Sequence, residues 1–130
     1  MVVEKAFTKG QTKLCVTNDM MILSNCGCDI SIISMKDSNS RKDYNLPNTT
    51  CIRSLCIHKN GQLLTLDSSK GLLNSFQMSG DAEPTLIWTL NHFDGAYAVC
   101  TDEKSGLIYV TGKEKKLHIV SPEGRDASQN

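Results

Sequence analysis

The feature that most constrains this chain is a unit that recurs three times. Residues 97–124, YAVCTDEKSGLIYVTGKEKKLHIVSPEG, align with residues 53–80, RSLCIHKNGQLLTLDSSKGLLNSFQMSG. Both align more loosely with residues 12–37, TKLCVTNDMMILSNCGCDISIISMKD. In each copy a cysteine closes an apolar run, at Cys15, Cys56 and Cys100, and a polar turn and a second apolar run follow. After another polar turn comes a third run. The three cysteines are 41 and then 44 residues apart, a spacing used by stacked repeats of either strands or helices.

Hydrophobic periodicity decides between the two. Leu63, Leu64 and Leu66, Ile108 and Val110, Ile30 and Ile32, and Leu117 and Ile119 lie in short alternating or continuous apolar runs bounded by Gly, Asn, Asp and Ser. An amphipathic helix would space them three and four apart, so these runs read as strands. Asn60-Gly61 and Ser105-Gly106 mark tight turns, because glycine reaches positive φ without steric cost. A further strand-like run precedes each cysteine run, at 3–8 (VEKAFT), 42–47 (KDYNLP) and 86–91 (LIWTLN). The expectation is an all-β fold: three four-stranded antiparallel blades of a β-propeller-like array, forming an incomplete ring. It spans residues 1–124, with repeats at about 3–37, 42–80 and 86–122, and the polar tail 125–130 is expected to fray after Pro122.

At 130 residues, with 39% hydrophobic and 22% charged residues, the composition is that of one globular domain. Fourteen basic residues balance fourteen acidic ones, which removes any global field toward nucleic acid or an anionic bilayer. No run approaches the roughly 18 consecutive apolar residues of a membrane span, and MVVEKAFTKG lacks the apolar core of a secretion signal. These observations predict a cytoplasmic, membrane-free setting in which the six cysteines are thiols rather than disulfides. The Asn48-Thr49-Thr50 acceptor pattern is then a chance match in a loop.

The third copy resembles the NHL type of propeller repeat more than the WD-repeat type. It carries a small residue and valine, an acidic turn, Gly106-Leu107-Ile108-Tyr109-Val110-Thr111, a polar hairpin, and an apolar pair before Ser121-Pro122-Glu123-Gly124. The acidic residue usual after the Tyr-Val-Thr stretch is replaced here by Gly112, whereas Asp67 and Asn25 hold the comparable places in the other copies. No Gly-His or Trp-Asp pair ends a unit. The resemblance implies a non-catalytic protein-interaction module, such as the NHL-like regions at the ends of tripartite-motif ubiquitin ligases. No RING or B-box pattern accompanies it, so ligase activity is not implied. Its alternatives are an RNA-binding propeller face and a calcium-dependent lactonase-like enzyme using Asp94 and Asp102.

Propellers close with about four to eight blades, because closure removes exposed strand edges. Three are too few, so the chain is expected to be a fragment of a larger ring or half of a homodimer that closes a six-bladed one. Cys26-Gly27-Cys28-Asp29 lacks a second ligand pair for zinc, and His58, His92 and His118 fall at non-equivalent places, so neither a metal or cofactor nor a catalytic triad is expected. The candidate binding face gathers the basic hairpin residues Lys113, Lys115 and Lys116. To these it adds His92, Asp94 and Tyr97 from the preceding loop, and Arg53 and Lys13 from neighbouring blades. Trp88 and Phe93 are assigned to packing. The expected partner is a protein, with RNA as the alternative.

Overall fold

The computed structural model describes residues 12–17, 19–25, 27–36, 40–67, 69–80, 82–112 and 115–126. Among them, eleven strands form three antiparallel sheets. The first sheet is β1 (Thr12–Val16), β2 (Met20–Asn25), β3 (Asp29–Ser34) and β4 (Arg41–Asn45). The second is β5 (Ser54–Ile57), β6 (Gln62–Asp67), β7 (Leu72–Gln77) and β8 (Thr85–Leu90). The third is β9 (Ala98–Thr101), β10 (Ile108–Thr111) and β11 (Leu117–Val120). Each sheet is a simple meander, with strands adjacent in sequence paired in space.

The cysteine-bearing strands are the inner ones: β5 packs beside β1 on one side and β9 on the other. The runs at 42–47 and 86–91 appear as β4 and β8, at the outer edges of the first and second sheets. Each therefore completes the sheet that precedes it, and the sequence repeat is offset by one strand from the sheet. The run at 3–8 lies outside the described residues. The third sheet has three described strands, and among the described residues only an isolated bridge from Val120 to Asp126 touches the outer edge of β11.

The core is two seams between sheets. On the first, Ile22, Ile30 and Ile32 of the first sheet meet Leu55, Leu63 and Phe76 of the second, with Leu46, Ile52 and Met78 closing the ends. On the second, Leu64, Leu66 and Leu73 meet Phe93, Ala96, Val99, Ile108, Val110 and Val120. The alternation of a strand sends Leu63 to one seam and Leu64 to the other, so all six residues of β6 are buried. β6 therefore keeps Gln62, Thr65 and Asp67 out of solvent along with its three leucines, while the outer strands β4 and β8, covered less completely, have no buried residue. On β8 the pairing slips between Ser75 and Phe76, leaving Ile87 as an extra, exposed residue on the edge strand.

The Asn60-Gly61 turn forms as expected, with the Gly61 amide donating to the His58 carbonyl at 2.9 Å. Gly61 has φ +91°, and a Cβ there would lie 3.0 Å from the Met78 carbonyl oxygen, so no other residue fits without rearrangement. The tail departs from expectation. Instead of fraying after Pro122, the chain folds back as far as Asp126: the Ser121 amide donates to the Arg125 carbonyl and the Arg125 amide to Ser121 Oγ. A turn that satisfies its own backbone groups holds it. Trp88 anchors the same turn, donating from Nε1 to the Pro122 carbonyl at 3.0 Å while its ring covers Gly124. Gln62 Nε2 donates to that carbonyl as well, at 2.9 Å, so two donors of the second sheet converge on one acceptor just after the third.

Phe76 fills the first seam with no exposed surface. Phe76→Ala is expected to lower stability by about 3–5 kcal/mol in urea denaturation, whereas Ile87→Ala on the exposed bulge changes it by less than about 0.5 kcal/mol.

Candidate functional site

Two ends of the sheet stack present loops. At one end emerge the turns between second and third strands (described residues 27–28, 69–71, 112 and 115–116) and the loops passing from each sheet to the next (46–53, 91–97). Arg53 and Tyr97 stand at equivalent positions there, three residues before Cys56 and Cys100. The Arg53 guanidinium lies over the Tyr97 ring, 5.5 Å from its centroid, which joins the second and third sheets by a cation–π contact. Tyr97 is half exposed, and its amide donates to the Thr111 carbonyl at 2.7 Å, so its backbone is fixed while its ring faces solvent.

Beside this pair lies a shallow cavity of about 240 Å³ bordered by His92, Asp94, Lys116 and His118 over a floor of Phe93, Ala96 and Gly112. The loop carrying His92 and Asp94 is pinned by the Phe93 amide, which donates to the Gly71 carbonyl, and by the Phe93 ring, edge-on to His118 at 5.2 Å. His92 adopts φ +84°, a conformation costly for a residue with a Cβ. Asp94 sits so close over Gly71 that any side chain at 71 would collide with its carboxylate. Lys115 and Lys116 are exposed, with the Lys116 carbonyl accepting from the Gly112 amide. Thus His92, Asp94 and Lys116 border one cavity, and Arg53 and Tyr97 touch beside it. Lys13 is at the same end of the first sheet, near the start of β1, while Lys113 lies outside the described residues.

Sequence reasoning missed what positions Arg53. The Asp67 carboxylate at the end of β6 is fully buried and accepts hydrogen bonds from the Thr50 amide (2.8 Å) and hydroxyl (2.7 Å), the Cys51 amide (3.2 Å) and the Ser69 hydroxyl (2.7 Å). It clamps the 46–53 loop, and the Arg53 amide then donates to the Leu66 carbonyl at 2.7 Å. Burial opposes ionisation of Asp67, but the donors outweigh it and hold its pKa down to about 2. The same loop is braced by Asn48, at φ +56°, whose amide donates to Thr89 Oγ1 and Asn74 Oδ1.

The opposite end holds a larger cavity of about 660 Å³ between the turns of the first two sheets, bordered by Thr17, Met20, Ile57, His58 and Met78. His58 is buried; the Asn60 amide points at its Nδ1 (3.2 Å), so Nε2 carries the proton and donates to the Glu103 carbonyl (3.3 Å). Asp102 caps its own turn through Ser105, whose hydroxyl donates to it at 2.6 Å. Asp94 and Asp102 are therefore at opposite ends of β9, not around one site. Burial pushes the Cys15 and Cys56 thiols up to about 12, as packed groups rather than nucleophiles. Among the described residues, no group of three or more His, Cys, Asp or Glu side chains could hold a metal ion.

No family model matches the chain, and no curated protein is similar to it. Solved structures are. The WD40 repeats of RRP9 superpose with a TM-score of 0.74 at 13% identity, over 95% of this chain and 40% of that one. Apo AztD from Citrobacter koseri superposes with a TM-score of 0.65 at 14% identity, over 84% of this chain and 30% of that one. At such identities the likeness shows the fold alone: this chain is part of a β-propeller, spanning less than half the length of either structure.

Because the Asp67 pKa lies below the ordinary 3.8, its contribution is fully present above about pH 4 and is lost as pH falls through about 2. The shift corresponds to about 2 kcal/mol. Asp67→Asn is expected to cost at least about that much at pH 7 and to flatten the acid limb between pH 4 and pH 2, read from urea midpoints against pH.

Proposed function

We propose that this chain is a non-catalytic protein-interaction module of the NHL propeller type, which docks a protein partner on the end that carries Arg53, Tyr97, Asp94 and Lys116. The observation that carries the reading is the Arg53–Tyr97 pair, a rigid exposed aromatic with a guanidinium on its face. Arg and Tyr are the residue types that concentrate binding energy at protein interfaces, most of all when the free protein already holds them in place. The adjoining cavity offers a carboxylate and an ammonium within one rim, which suits a mixed polar surface better than a polyanion. The pattern over residues 97–124 supports the NHL assignment.

RNA would use the same end through Lys115 and Lys116, but Trp88 and Phe93 are committed to packing, which leaves Tyr97 to stack on bases, and Asp94 opposes a phosphate backbone. Catalysis has less support still: both His58 ring nitrogens are engaged, and His118 packs on Phe93.

The tagged chain and its Arg53→Glu/Tyr97→Ala variant, compared by quantitative capture from lysate, should differ by about 100-fold in recovery of the specific partner, with little dependence on salt. Lys59→Glu at the opposite end should leave recovery unchanged. If instead Lys115→Glu/Lys116→Glu abolishes binding of a single-stranded RNA and the wild-type affinity falls steeply with salt, the RNA reading replaces this one.

A further inference from the structure

The two seams end differently beside the turns that follow the inner strands, and the repeat shows why. In the second seam that end is closed by two side chains of the second sheet: His58 Nε2 donates to the Glu103 carbonyl at 3.3 Å, and Gln62 Nε2 to the Pro122 carbonyl at 2.9 Å. His58 stands two residues after Cys56, and Gln62 two residues before Leu64, the residue paired with Cys56. In the first sheet the same places, counted from Cys15 and its partner Ile22, hold Thr17 and Met20. Pro122 is matched in turn by Met78, in the alignment of 97–124 with 53–80.

These residues cannot close the first seam in the same way. Thr17 engages its hydroxyl within its own turn, where it accepts from the Asp19 and Met20 amides at 3.2 and 3.1 Å. The Met20 side chain has no hydrogen to donate. What results is the hollow of about 660 Å³, inside the range of about 300–1,000 Å³ that small-molecule sites occupy. Met20, Met78 and Ile57 all pack on the first core cluster and give it apolar walls, and a thioether adapts to the shape of what it touches. Among the described residues, its border sets the Asp19 and Glu103 carboxylates against Lys59. The Glu103 charge reaches inward as far as Cys56, whose thiol is pushed up first by burial, then by the Cys15 and Cys100 thiols, and then by this carboxylate.

We propose that the hollow binds a small amphipathic cation, with an apolar body between Met20, Met78 and Ile57 and a protonated amine directed to Asp19 and Glu103. Burial of the apolar body supplies the affinity, and the paired carboxylates repel the corresponding anion. The site lies at the opposite end of the sheets from Arg53 and Tyr97, so its occupant and a docked protein share no residue.

The test is NMR of the 130-residue chain carrying isotope-labelled methionine methyl groups, titrated at pH 7 with phenylbutylamine, phenylbutanol and phenylbutyrate in turn. The Met20 and Met78 methyls should shift saturably with the amine, while Met21, on the other face of β2, stays in place. The amine should bind at least about tenfold more tightly than the carboxylate. Asp19→Asn/Glu103→Gln, at exposed positions, should remove that preference and leave the alcohol bound as before. Thr17→His/Met20→Gln, which copies the closed end of the second seam and is checked for folding by far-UV circular dichroism, should abolish binding of all three. Absence of saturable shifts at Met20 and Met78, equal affinity for amine and carboxylate, or a preference that survives Asp19→Asn/Glu103→Gln overturns the proposal.

Discussion

Everything in this molecule depends on the burial of the middle sheet from both sides. β6 has no solvent-facing residue, and it reaches that state only because a sheet lies on each of its faces. Among the described residues, each outer sheet packs on one other sheet. The apolar contact stacks the sheets, and polar groups at the ends tie one sheet to the next.

Those polar groups also make the surface on which a function can be built. Asp67, buried and ionised, collects the donors of the loop that enters β5 and so sets the place of Arg53. From there the guanidinium reaches across to Tyr97 on the next sheet. A carboxylate inside the fold thereby positions a cation outside it, through contacts that run from core to rim.

The architecture was legible in the sequence because its signal is redundant. Three cysteines at matched places, alternating runs and turn glycines all indicate strands in repeats, and an error in one copy is corrected by the others. Packing roles for Trp88 and Phe93 followed from the same logic, and the grouping of His92, Asp94 and Lys116 from knowing which loops rise together. The extra residue at Ile87 and the folded turn through Asp126 were not legible, since a bulge and a self-satisfying turn depend on local hydrogen bonds that leave no periodic trace. The clamp by Asp67 escaped for a different reason. A lone acidic residue at a strand end looks like a solvated turn until the loop that donates to it, 16 residues away, is seen to fold over it.

The two seams are fastened differently. Between the second and third sheets, bonds exist at both ends: Arg53 on Tyr97 and Phe93 to Gly71 at one, Gln62 and Trp88 to Pro122 and His58 to Glu103 at the other. Between the first and second, the Leu46 and Ile52 amides tie down the Gly27–Cys28 hairpin at one end, but the 660 Å³ hollow occupies the other. The molecule is thus bound like a book, along one margin at its first seam and along both at its second.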